Sequence, residues 1–210
     1  MKNKSSIFIS KEVFKDRKTI VDNILNGESL PNNIFTSDYK FFKFIEFDEL
    51  FTEHFYKFYS NYVYQLGLDY FTFYTLNPNP EEYFFKFFSE YNVIDFSAKD
   101  SFESFLNKLV SEPHDSPADA LRYNSNEILV FNENLDIVIY GNRDEEFVII
   151  AATGCKVMNE FNENYPENLL YDVNEYIENL LPLKFSNFKF TQQQLVFYDN
   201  LINNYGHCPN

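Results

Sequence analysis

The sequence predicts one α+β domain, with a mainly antiparallel sheet built on a central meander and packed with several amphipathic helices. Three short apolar runs carry the prediction: EILVF (Glu127 to Phe131), DIVIY (Asp136 to Tyr140) and FVIIAA (Phe147 to Ala152). NENL and GNRDEE separate them, which is the spacing of an antiparallel meander. The runs are β-branched and nearly uninterrupted, so at least the central strand is expected to be covered on both faces. Apolar residues at helical spacing come before and after the meander. No internal repeat, linker or shift in charge divides residues 1–210, and a single domain is the simplest account.

The elements follow in order. Ser10 caps a helix running to Asn26, with Gly27 in the left-handed position at its end. Val13, Arg17, Ile20, Val21, Ile24 and Leu25 share one face, and Arg17 lays its stem along that stripe. Tyr39 to Phe47 is extended. Asp48 to Leu66 forms a second helix on the stripe Phe51, Phe55, Phe58, Tyr59, Tyr62 and Val63, stopped by Gly67. Asp69 to Leu76 is aromatic and threonine-rich, which favours a strand. Asn79 caps a helix with Pro80 in its first position, running to about Tyr91. Asp100 and Glu103 have capping-box spacing before a helix ending at Val110. Glu112 to Ser125 is a loop with a short helical turn at PADAL. After the meander, Asp172/Glu175 and Thr191/Gln194 repeat the capping-box spacing before two apolar helical stripes, and Gly206 ends the last helix.

Composition narrows the function classes. The net charge is −15, from 17 basic and 32 acidic residues. A field of that sign repels phosphate backbones and anionic lipid, which disfavours nucleic-acid and membrane-surface binding and favours a basic protein partner. The N-terminus lacks the apolar core of a secretory signal, and no apolar run approaches the roughly 20 residues of a bilayer span, so a cytoplasmic location is expected. The 26 Phe and 16 Tyr match AT-rich codon usage; the competing reading is an aromatic ligand lining.

Chemistry-bearing constellations are sparse. Cys155 and Cys208 form no metal or redox spacing, and Cys155 is expected to be a buried small hydrophobe. His54 reads as a rim or surface residue. His114, beside Asp115 in a Pro-bounded loop, is the one candidate for a base or metal ligand, but no second histidine is near. His207 lies near the C-terminus. There is no glycine-rich phosphate loop, nucleophile elbow or paired-histidine helix, so no catalytic residue, metal or cofactor is assigned.

The acidic surface is the better candidate. No Lys or Arg occurs between Lys156 and Lys184, where Glu160, Glu163, Glu167, Asp172, Glu175 and Glu178 alternate with tyrosines and asparagines. Exposed tyrosines among carboxylates would suit docking to a basic protein. The bland alternative is a solvated helix face. The expected partner-binding residues are Asp144, Glu145, Glu146, Glu160, Glu163 and Tyr165. Gly141 and Arg143 are expected to be structural. Gly141-Asn142 would make a tight turn at positive φ, and Arg143 would pair with a carboxylate such as Asp144 or Glu146.

The run VFNENLDIVIYGNRDEEFVIIAA resembles a segment of small bacterial toxin-immunity proteins, in which a strand, a YGDR-like turn and a second apolar strand recur. The matching residues are Tyr140, Gly141, Asn142, Arg143 and Asp144, with Asn142 standing where the motif has an acid. Ile137 and Val138 occupy the region where an aromatic, often Trp, precedes the turn. The resemblance covers residues 130–152 and implies a bacterial protein that binds and neutralises a cognate effector. Together these readings predict a non-enzymatic binding protein for a basic toxin or effector. The alternatives are an enzyme with a His/carboxylate site around His114, and a structural or scaffold protein of a phage or mobile element. The sequence sets no oligomeric state.

Overall fold

The computed structural model describes residues 7–165, 169–184 and 189–206. In chain order the elements are helix α1 (Lys11–Ile24), strand β1 (Phe41–Glu46), helix α2 (Glu53–Gln65), strand β2 (Tyr70–Asn77) and helix α3 (Lys86–Phe88). Strand β3 (Val93–Ser97), helix α4 (Phe102–Leu109) and strands β4 (Glu127–Phe131), β5 (Ile137–Asn142) and β6 (Phe147–Ala152) follow. Helices α5 (Cys155–Asn164), α6 (Val173–Glu175) and α7 (Gln192–Tyr205) complete the chain.

The six strands form one sheet in the order β1-β6-β5-β4-β2-β3, with every neighbouring pair antiparallel. The α+β class is therefore as the sequence predicts, and the β4-β5-β6 meander forms its centre. Side chains alternate across the pleat. Ile137, Ile139, Val148 and Ile150 point to one face, packed beneath α2, α4 and α5. Val138, Tyr140, Phe147 and Ile149 point to the other, packed beneath α1, α7 and the α6 region. Both faces of the meander are buried, which is why its strands read as continuous apolar runs rather than alternating ones.

Local signals account for most helix starts. The Ser10 hydroxyl accepts from Val13 N, and the capping boxes at Asp172/Glu175 and Thr191/Gln194 are both made. The box expected at Asp100/Glu103 is not. Ser101 caps α4 by accepting from Ser104 N at 3.1 Å, while Asp100 pairs with Lys108 at 2.7 Å. The helix expected over Asp48–Leu66 is divided. Phe47–Phe51 forms a 3-10 turn, and Thr52 then caps α2 through Phe55 N. Asn79 caps the turn at Pro80–Phe85, but helix ends at Phe88, where Ser89 turns left-handed at φ 58°.

Arg17 does more than cover apolar surface. Its guanidinium makes a forked pair with Asp95 of β3 (2.9 and 3.2 Å) and lies over the Tyr70 ring, while Thr72 donates to the same carboxylate at 2.5 Å. Burial disfavours the charge, but the Asp95 and Tyr70 hydrogen bonds outweigh it and hold the pKa above its usual value. The pair ties α1 to the edge strand β3. The other edge strand, β1, is partly covered because Phe44 and Tyr171 exchange backbone hydrogen bonds of 2.8 and 2.9 Å.

Candidate functional site

The β5–β6 connection is the natural place to begin. Strand β5 continues through Gly141 and Asn142, which pair with Val148 and Phe147, so the turn is Arg143 to Glu146. The positive-φ residue of this turn is Glu146 (φ 59°), not Gly141 or Asn142, which corrects the expected tight turn. Asn142 instead supports it by accepting from Glu145 N at 3.0 Å. Gly141 is structural for a different reason: a Cβ there would lie 2.8 Å from Leu50 Cδ1 and 3.1 Å from the Phe47 ring.

Arg143 is also structural, but not through a carboxylate. Its Nε and Nη2 donate to the carbonyls of Ser125 (3.1 Å) and Arg122 (2.6 Å), and its guanidinium lies over the Phe47 ring. Its backbone N–H donates to Asn126 O at 2.8 Å. The residue thus closes the 122–126 loop against the turn. Burial lowers its pKa, opposed by the charges of Asp48 and Asp144.

The three acids that follow border a groove of about 510 Å³, completed by Leu181, Thr191, Gln194, Phe197 and Tyr198. Among the described residues no Lys or Arg lines it. Asp144 is exposed, and Glu145 and Glu146 are half-buried. Burial pushes the Glu145 carboxyl above its usual range, partly offset by the Tyr198 hydroxyl, which donates from 3.5 Å. The Glu146 carbonyl accepts from Phe47 N (3.1 Å) and the Tyr176 hydroxyl (2.8 Å), so the turn is held from both sides of the sheet. The carboxylates are therefore presented on braced backbone.

Glu160 and Glu163 do not join this groove. Both are exposed on α5, whose buried residues Met158 and Phe161 pack on the opposite face of the sheet. Tyr165 is not an exposed docking ring: it is 3% exposed, edge-on to Phe58 with centroids 4.5 Å apart. Tyr176 is fully buried as well. Through this acid-only span Asp172, Glu175 and Glu178 face out while Tyr165 and Tyr176 face in and Tyr171 is half-buried, so of the expected exposed tyrosines only Tyr171 is partly accessible. Glu167 lies outside the described residues.

The remaining candidates are dispersed. His114 is exposed on left-handed backbone (φ 49°), as is His54 on a helical turn. Its neighbour in the loop, Asp119, is buried and accepts from Ser116 Oγ, Asn124 Nδ2 and the Tyr83 hydroxyl at 2.5, 2.6 and 2.9 Å. Burial alone would raise the Asp119 pKa, but those three donors outweigh it and lower it. This is a loop pin. Cys155 is exposed at the first turn of α5, contrary to the buried position expected from its apolar surroundings in the sequence. His207 and Cys208 lie outside the described residues. Among the described residues no group of three or more His, Cys, Asp or Glu is placed to hold a metal ion, and no helix is long and apolar enough to cross a membrane.

Sequence reasoning found the acids of the groove but not its walls. Phe197, Gln194 and Leu181 come from segments far from the turn, and no local pattern connects them to it. No protein-family model, curated protein or solved structure matches the chain.

Proposed function

We propose that this chain is a non-enzymatic binding protein that captures a basic protein, of the toxin or effector kind, in the cytoplasm of a bacterial cell. The observation that carries the reading is the groove beside the β5–β6 turn, where Asp144, Glu145 and Glu146 stand on braced backbone with no Lys or Arg among the described lining residues. A net charge of −15 supports it, because such a field steers a cationic partner and raises its on-rate. The immunity-type part rests on the resemblance of the Tyr140–Asp144 turn. The mechanism is steric: the acidic face covers the partner's working surface. The turn is the centre of the interface, and Glu160 and Glu163, in the layer on the other face of the sheet, contribute only long-range attraction.

Affinity capture from the expressing cell, followed by calorimetry on the recovered protein, tests this. A basic partner is expected, with affinity falling steeply as salt rises. Asp144→Lys should weaken it at least about tenfold, whereas Glu160→Lys with Glu163→Lys should change it only a few-fold. Recovery of no basic protein, or an affinity indifferent to salt and to Asp144→Lys, ends the reading.

A further inference from the structure

A second, smaller cavity adjoins the groove and shares Glu145 and Phe197 with it. Its volume is about 220 Å³. That is below the roughly 300–1,000 Å³ of pockets that hold drug-sized ligands, and it suits a single long side chain. The lining is part apolar and part polar, with Leu25, Leu30, Ile34, Leu76 and Phe197 forming the apolar part. The polar groups include Ser29, Asn142, Glu127 and Glu145, with the Tyr140 hydroxyl accepting from Asn142 Nδ2 at 3.3 Å. Glu28 stands among the lining residues on exposed loop and accepts from the neutral Asn32 amide at 3.0 Å. The three carboxylates come from three separate segments, and among the described residues no Lys or Arg lines the space.

We propose that this cavity receives one arginine side chain of the basic partner, seated with its alkyl stem along the leucines and its guanidinium between Glu127 and Glu145. The inference rests on the reading of the chain as a binder of a basic protein, and it names the anchor. A lining that mixes apolar side chains with carboxylates matches the amphipathic shape of a long basic side chain. An anion is excluded by the same charges. Arginine fits better than lysine because its planar fork serves two carboxylates at once, stacks on a ring such as Phe197, and sheds hydration more readily. Since the cavity and the groove share two lining residues, an arginine seated in the cavity leaves the partner's chain running past Asp144 and Glu146.

The test is an NMR titration of methyl-labelled protein with N-acetyl-arginine methylamide, with its lysine counterpart and spermidine as separate arms. The arginine probe should shift the methyls of Leu25, Leu30 and Leu76, and the other two cations should bind more weakly. Glu127→Gln should weaken the arginine probe about tenfold, as expected for loss of one charge-assisted bond. Leu76→Phe, which fills the cavity, should abolish the methyl shifts. Equal or tighter binding of lysine or spermidine overturns the arginine assignment, as do shifts confined to exposed acids. A captured basic protein that binds Glu127→Gln and Leu76→Phe undiminished also overturns it while leaving the wider reading intact. A seated arginine probe with no basic partner recovered would do the reverse.

Discussion

The two faces of the sheet are built from different aromatics. Among the described residues, the core under α2, α4 and α5 holds ten buried phenylalanines and three tyrosines. The core under α1, α7 and the α6 region holds six phenylalanines and seven tyrosines. On the first face rings meet rings: Phe73 lies 5.1 Å from Phe96 and 5.8 Å from Phe105, edge-on to both. On the second, hydroxyls reach past the apolar layer to backbone. Tyr205 accepts from Ile34 N at 3.0 Å and donates to Asn32 O at 2.9 Å; Tyr39 donates to Leu135 O; Tyr176 donates to Glu146 O. On the first face ring packing dominates, joined by Tyr56 donating to Asp100 O and Asn132 Nδ2 donating to the Tyr59 hydroxyl, whereas the second carries more tyrosines and is stapled through them to loops and turns. Both acidic cavities open on this second face.

Phe73→Ala breaks the phenylalanine face most directly. It should cost about 3–5 kcal/mol in urea unfolding, since a fully buried ring leaves a cavity. Tyr205→Phe keeps the ring but strips the hydroxyl from two backbone partners and should cost about 1–3 kcal/mol. Its signature is local: amide exchange should speed up in residues 32–34 and in α7, and stay unchanged in α2. Uniform loss of protection would mean that the two faces are not held differently.

Gly141→Ala probes how tightly the phenylalanine face is filled. The added methyl meets Leu50 and Phe47, both buried, and should cost about 1–3 kcal/mol by overpacking. An unchanged midpoint would show that this corner is slack.

Glu145→Gln gives the smallest effect and bears on the stapled face. Burial holds the Glu145 carboxyl above the unfolded value of 4.5. The folded state therefore binds the proton more tightly, and this carboxyl's contribution to stability, full below pH 4.5, is lost as pH rises through the folded pKa. Glutamine stays neutral, so the variant should melt roughly 1–2 °C higher at pH 7 and match the parent below pH 4.5. The effect is small because the group is only half-buried and water screens it. Equal melting points at both pH values would mean that the groove leaves Glu145 fully solvated.

The parts of the molecule that were legible are those decided within a few residues. The meander strands, the capping boxes at Asp172 and Thr191, and Asn79 before Pro80 each depend on near neighbours. Errors arose where a nearer competitor took the role, as when Ser101 rather than Asp100 capped α4. The direction of Tyr165 was not legible, because exposed and buried tyrosines share one residue type and only Phe58 and Phe161 decide the matter.

The sequence by itself determined the antiparallel meander buried on both faces, the capped helices around it and the acidic charge, because periodicity, cap chemistry and formal charge are local or additive. Tertiary structure alone decided that Arg143 grips carbonyls rather than carboxylates, that Gly141 is needed for space rather than for φ, and that Glu145 sits between two cavities while Glu160 and Glu163 lie in the other layer. Each of those depends on which distant segment packs alongside, and a pairing between distant segments leaves no periodic trace in the chain.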